Sequence, residues 1–195
     1  MRTAKIQRKT NETEIILALN LEGSGRYAIN SGIPFFDHML AQIAVHGLLD
    51  IEINARGDLD VDQHHTIEDI ALVLGQGFRD ALADKKGIAR VGQSLVPMDE
   101  SLCQVVVDFS GRPYLVFNAN WQDPRVADIP ITLVEHFFYS FSVTAGATIH
   151  AQVLYGRDNH HKVEGLFKAF GRSLRGAVAL DPRRENSIPS SKGVL

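Results

Sequence analysis

The chain contains a single cysteine, Cys103, so no disulfide can form within it. That suits a reducing compartment and excludes a disulfide-stapled secreted scaffold. There is no excess of basic charge either. The formal net charge is −3, which removes the broad positive field that nucleic-acid binding uses. No apolar run approaches the roughly 20 residues that a membrane-spanning helix needs. Met1 to Lys5 lead into a polar, strand-like stretch with no signal core and no transit-peptide composition. No Pro/Gly/Ser-rich linker divides the chain, and no segment is of low complexity. The expectation is a soluble cytoplasmic protein with no membrane or nucleic-acid partner. Its 195 residues suffice for one substantial core or two small fused units.

What the chain does have is histidine in a repeated pattern. His64-His65-Thr66-Ile67-Glu68 and His160-His161-Lys162-Val163-Glu164 each head an apolar-periodic run. A helix turns about 100° per residue, so residues four apart share a face. His64 and Glu68 can therefore grip one ion, and so can His160 and Glu164. His65 and His161 point away from their neighbours and suit a different ion. An upstream histidine accompanies each pair: His38 lies 26 residues before His64, and His136 lies 24 before His160. The offset between the halves is 98 at the lone histidine (136 − 38) and 96 at the pair (160 − 64). This is an internal duplication. One helix-start histidine is commonly a solvated or capping residue. Two matched pairs, each with Glu four residues on, point to metal ligation. Six of the eight histidines and two glutamates make eight ligands, enough for two ions with four each.

The apolar pattern predicts strands over 3–9, 13–21 and 26–30, a helix opened by Pro34 and stopped by Gly47, a strand over 48–55 and a helix over 64–84. The second half replays this order. Strands are expected over 102–110 and 114–121, then a helix opened by Pro130 and running to 145. A strand over 148–155 and a helix over 160–180 follow. Helices with one apolar stripe pack on one face of a sheet, so the fold class is α+β: a two-layer sheet/helix unit built twice. The pseudo-repeats cover about 1–90 and 91–180 of a single domain, 1–195. By composition alone the tail 181–195 has little to bury and reads as disordered.

Three imidazoles and a carboxylate suit a first-row divalent ion: manganese, iron, cobalt, nickel and zinc all remain open. Calcium and magnesium prefer oxygen. Because His64 and His65 diverge, at least one must meet its ion across another surface, and a subunit interface is the simple solution. Arg90, Arg112 and Lys192 could bind an anion but are individually ordinary surface charges. Asp99-Glu100 reads equally as acid/base groups or as a strand-entry turn. His46 closes the first ligand helix.

Phe35-Phe36-Asp37-His38-Met39-Leu40, Asp62-Gln63-His64-His65-Thr66-Ile67-Glu68-Asp69 and Pro97-Met98-Asp99-Glu100 resemble the imidazoleglycerol-phosphate dehydratase family. So do Ser110-Gly111-Arg112-Pro113, His160-His161-Lys162-Val163-Glu164 and Pro189-Ser190-Ser191-Lys192-Gly193. The pattern is similar to the single-function bacterial form, without a fused phosphatase domain or a plant transit peptide. The resemblance implies a hydro-lyase of histidine biosynthesis that converts imidazole glycerol phosphate to imidazole acetol phosphate. It implies two manganese ions, a metal-bound imidazolate and a diazafulvene-like intermediate. His64, Glu68, His136 and His161 would serve one ion, and His38, His65, His160 and Glu164 the other. The fold implied is a duplicated unit like the second domain of ribosomal protein S5, assembled as a homo-oligomer of twenty-four subunits with metals shared between them. Glu12 would do acid/base work, with Asp99 as a second candidate. Arg90, Arg112, Ser190 and Lys192 would bind phosphate, with Ser191 among the substrate contacts, so the tail should order over it. His46 and Lys162, with the ligands His38, His64, His65, Glu68, His160 and His161, complete the expected substrate contacts.

Two positions depart from the family. Ser191 stands where Thr is usual. The turn Gly156-Arg157-Asp158-Asn159 lacks the Asn expected two residues after the glycine, which puts its local hydrogen bonds in question. Rival readings use the same ligands: a metal-dependent hydrolase, separable by release of inorganic phosphate, or a metal-buffering shell without turnover.

Overall fold

Alternation makes the strands. In β2 (Thr13–Asn20), Thr13, Ile15, Leu17 and Leu19 are buried and the residues between them are not. A computed structural model of the chain describes residues 1–184 and 187–193. Its first half runs β1 (Thr3–Lys9), β2, β3 (Tyr27–Asn30), α1 (Pro34–Gly47), β4 (Asp50–Gly57) and α2 (His64–Leu82). The second runs β5 (Val91–Met98), β6 (Ser101–Asp108), β7 (Tyr114–Asn118), a small hairpin β8 (Arg125–Val126) and β9 (Ile129–Pro130), then α3 (Thr132–Ala145), β10 (Thr148–Tyr155) and α4 (Asn159–Val178). The sheets have the same topology. Their orders are β1-β2-β4-β3 and β5-β6-β10-β7, with the β3–β4 and β7–β10 pairs parallel and the others antiparallel.

Each sheet carries its helices on one face, as expected for a two-layer unit built twice. The two helix layers then pack on each other crosswise: α1 on α4, and α2 on α3. One cluster of buried apolar side chains runs through both halves. Its centre is aromatic, with Phe137, Phe138, Phe141, Phe167 and Phe170 fully or almost fully buried and in mutual ring contact. Two glycines at equivalent places, 75 and 171 (171 − 75 = 96), let these helices approach. A Cβ on Gly75 would lie 2.6 Å from the Phe141 carbonyl, and one on Gly171 would lie 2.8 Å from that of Ile43.

Two expectations need correction. The expected strands pass from 48–55 to 102–110, yet β5 lies between them and pairs with β6 from Val91↔Asp108 to Met98↔Ser101. Gly92, Ser94 and Pro97 dilute its strand signal, and proline is tolerated because β5 is an edge strand. Pro130 does not open a helix. It ends β9, and α3 begins at Thr132. The departure at Gly156–Asn159 leaves the helix start well served. Asp158 caps α4, its Oδ1 accepting from the backbone N–H of His160 at 2.7 Å and of His161 at 3.2 Å.

Part of the tail lies outside the described residues, namely 185, 186, 194 and 195. The rest is tied to the segment before β5. Asp181 N–H donates to Gly87 O at 2.8 Å, Gly87 N–H to Ser187 O at 3.1 Å, and Arg90 to Pro189 O at 2.9 Å.

Candidate metal centres

Helix crossing assembles two clusters, each with ligands from both halves. At the α1–α4 crossing, the Nε2 atoms of His38 and His160 stand 3.1 and 3.0 Å from the same Glu164 oxygen. The other Glu164 oxygen takes an ion pair from Lys168 at 2.7 Å. Burial alone would raise the Glu164 carboxyl. Hydrogen bonds from Lys168, His38 and His160 outweigh it and hold it at about 2. At the α2–α3 crossing, Glu68 lies 3.7 Å from His64 Nε2 and 3.6 Å from His136 Nε2. Within each trio the candidate ligand atoms lie within 4.8 Å of one another.

The second trio contains an unpartnered polar atom. His136 Nε2 is buried and makes no hydrogen bond among the described residues. A ring nitrogen aimed between an imidazole and a carboxylate, with its hydrogen-bonding capacity unused, fits a divalent cation. Two imidazoles with a carboxylate are a donor set for first-row metals.

The structure thus brings together three of the four residues expected at each ion. The fourth, His161 for one and His65 for the other, is turned elsewhere. Each ring centroid is 6.2 Å from that of its neighbouring histidine, and each ring is held by an acid. His65 Nδ1 is 3.0 Å from Asp58 and 3.8 Å from Glu12, and its hydrogen bond to Asp58 raises its pKa. His161 Nδ1 is 2.7 Å from Glu100, which likewise raises it, and His161 Nε2 is 3.6 Å from Asp99.

The remaining expected residues fall in three places. Glu12 lies in the β1–β2 turn beside His65, and Asp99, at positive φ, in the β5–β6 turn beside His161. His46 ends α1 next to Lys168 and Arg172; burial and those charges lower its pKa. Arg90 is at the far end of the β5–β6 hairpin from Asp99. It is paired with Asp108 at 2.6 and 3.0 Å, and this bond raises its pKa. Arg112 sits at that same end, its carbonyl accepting from Thr148 at 3.0 Å. Eight residues of extended chain separate the ends by roughly 25 Å. The basic groups of one chain and its His161 are therefore far apart. Ser190, Ser191 and Lys192 follow Pro189, which Arg90 binds.

Lys162 is a correction. Its side chain is fully buried, and its ammonium donates to Asn120 O at 2.8 Å and to Gln122, 5.7 Å from the Trp121 ring centre. It pins the 120–122 loop to the start of α4. Burial lowers its pKa, and no surface remains to meet a substrate. The lysine overlooked is Lys168, one helical turn beyond Glu164; its i,i+4 spacing was legible, but lysines at that spacing are common on helix surfaces.

Duplicated sheet-and-helix units with a His/Glu trio at each helix crossing define a protein with two candidate sites for a divalent ion. Comparison with known proteins gives the particular family. The model of imidazoleglycerol-phosphate dehydratase matches residues 31–174. The dehydratase of Clostridium botulinum (strain Langeland) is 53% identical over 192 residues, 98% of this chain and 97% of that one. That of Cupriavidus taiwanensis is 52% identical over all 195 residues, the full length of both. Among solved structures, the Staphylococcus aureus dehydratase superposes with a TM-score of 0.83 at 37% identity, covering 92% of this chain and 99% of that one. The Pyrococcus furiosus one does so at 0.85 and 33%, covering 97% and 100%. The chain belongs to the imidazoleglycerol-phosphate dehydratase family. It is a hydro-lyase, and its two trios are candidate sites for the metal on which the family depends.

Proposed function

We propose that the chain, as one domain over 1–195, dehydrates imidazole glycerol phosphate to imidazole acetol phosphate in histidine biosynthesis. The observation that carries this reading is the pair of His/Glu trios, each one histidine short of the expected four, in a chain of this family. His64, Glu68 and His136 hold one manganese ion, completed by His161 of the partner subunit. His38, His160 and Glu164 hold the other, completed by His65 of the partner subunit. Such an exchange fits the separation of the basic groups from His161, because phosphate-binding and metal-binding residues then come from different chains. It also fits the outer face of the second sheet, where Val91, Leu95, Tyr114 and Leu154 are exposed. The same face of the first sheet carries Lys5, Glu52 and Arg56. Large exposed apolar surface suits a subunit contact. The assembly proposed is the twenty-four-subunit shell, in the cytoplasm.

Bound manganese supplies Lewis acidity that favours the imidazolate form of the substrate ring. The chain's own residues do the rest. The hydroxyl on the adjacent carbon would leave as water by taking a proton from an acid of the site, Asp99 being the candidate, while ring electrons form a diazafulvene-like intermediate. Glu12 takes the proton from the next carbon, and the resulting enol becomes the ketone. Its exposed carboxylate beside His65 is suited to that transfer. Asp99 is the second acid/base candidate. Arg90, Arg112, Ser190, Ser191 and Lys192 grip the phosphate, and His46 lines the site beside Lys168.

The test strips the protein with chelator, restores manganese and follows ketone and inorganic phosphate, with Glu12→Gln and Asp99→Asn alongside. Manganese-dependent ketone formation, reduced at least 100-fold in E12Q, is the expected result. Phosphate release without ketone would replace the reading with a hydrolase.

A further inference from the structure

The duplication places Glu12 and Glu100 at equivalent positions. Their offset is 88 (100 − 12), as is that between the starts of β1 and β5 (91 − 3) and of β2 and β6 (101 − 13). Each lies in a hairpin turn beside the second histidine of its pair. Their surroundings differ. The Glu12 side chain is 53% exposed, and its carboxylate comes no nearer to His65 Nδ1 than 3.8 Å. Glu100 is saturated. Its Oε1 accepts from the backbone N–H groups of Arg157 at 2.9 Å and Asp158 at 2.8 Å, and from Ser101 Oγ at 3.0 Å. Its Oε2 takes His161 Nδ1 at 2.7 Å. In the first half the acid at the equivalent ring nitrogen is Asp58.

We infer that Glu100 is a positioning residue that fixes the tautomer and direction of His161 as a metal ligand. The inference rests on the metal reading above. A neutral imidazole has one N–H and one lone pair. A carboxylate at Nδ1 draws the hydrogen there and leaves the lone pair on Nε2 for a metal. Three further donors hold Glu100, so it cannot follow the ring if the ring rotates. Two of them, with His161 itself, belong to the segment 157–161, so the carboxylate bolts the β5–β6 hairpin to the start of α4. These bonds engage both Glu100 oxygens, Oε1 with three donors and Oε2 with one. Of the duplicated glutamates, Glu12 is the one whose carboxylate is exposed and without such anchoring among the described residues.

Manganese titration of the assembled protein, reading free ion by electron paramagnetic resonance, tests this with Glu100→Gln and Glu100→Ala. Light-scattering mass and metal-free thermal melts are recorded in parallel. Glutamine preserves the shape but must turn an amide N–H₂ toward a donor at one end. The expected result is two manganese ions per chain in the unaltered protein. In both variants one class of site weakens by about 10- to 100-fold, and activity falls at limiting manganese and recovers at saturating manganese. His161→Ala should remove that same class, and adding Glu100→Ala to it should change nothing further. Wild-type affinity at both sites in E100Q and E100A would overturn the positioning role. So would a loss of kcat in E100Q at saturating manganese that matches E12Q, because Glu100 would then be moving protons. No manganese bound by the unaltered protein would overturn the metal reading itself, and this inference with it.

Discussion

At the scale of single residues, the acids around the histidine pairs divide the labour. Glu164 is shared by two histidines, Asp58 and Glu100 hold rings, and Glu12 stays exposed. A carboxylate's role follows from how many donors it already satisfies, which its place in a motif does not reveal. The same holds for Lys162, whose neighbours in the motif are candidate ligands while its ammonium is spent inside the fold. Lys162→Met should leave turnover of the folded enzyme unchanged, since the ammonium does not face the trios. It should cost about 1–3 kcal/mol of stability, because loop acceptors at Asn120 and Gln122 lose a charged donor. Urea unfolding and kcat measured on the same preparation check both halves. A fall in kcat at unchanged stability would return Lys162 to the substrate site.

At the scale of elements, the helix crossings decide the site geometry, and glycine decides the crossings. Gly75 and Gly171 are where α2 meets α3 and α1 meets α4. Gly75→Ala should part the first pair and cost about 1–3 kcal/mol as overpacking. It should weaken manganese at the His64/Glu68/His136 trio and spare the other. Titration of G75A against G171A should show the two classes exchanging sensitivity. A second element-level device closes the turn before β3. Asp50 accepts from the backbone N–H of Ser24 at 2.8 Å and of Arg26 at 3.0 Å, and from the Arg26 guanidinium at 2.8 Å. The Arg26 side chain, with the Ser24 N–H, holds the Asp50 carboxyl well below the usual carboxylate range. A depressed folded pKa contributes stability above the unfolded value and loses it as pH falls. Asp50→Asn should therefore cost about 2 kcal/mol near neutral pH. The difference from the unaltered protein should narrow below about pH 4. Chemical denaturation of both proteins at several pH values measures it, and a pH-independent difference would contradict the assignment.

At the scale of the whole molecule, one chain holds two incomplete trios and, roughly 25 Å from His161, a basic end with the tail folded against it. If His65 and His161 complete the trios of neighbouring subunits, metal is part of the assembly's cohesion. Chelation should reduce the mass in light scattering to a smaller species, and manganese should restore it. An unchanged mass without metal would show that the subunits hold together by other contacts, and would remove the argument for shared ligands.

By itself, the sequence determined the duplication, the α+β class and the helices that bear the candidate ligands, six of which the structure gathers into two trios. These are local or periodic properties: one residue in four on a helix face, every second residue in a strand, and two halves that repeat. It missed β5 and misplaced the start of α3, because Gly92, Ser94 and Pro97 weaken a strand signal and Pro130 suits a strand end as well as a helix start. Only the tertiary structure decided which groups meet. The crosswise packing of α1 on α4 and α2 on α3 pairs candidate ligands more than 60 residues apart, such as His64 with His136. The saturation of Glu100, the burial of Lys162 and the arrival of Lys168 at Glu164 are likewise decided there. Charge satisfaction depends on neighbours in space, and no spacing along the chain encodes it.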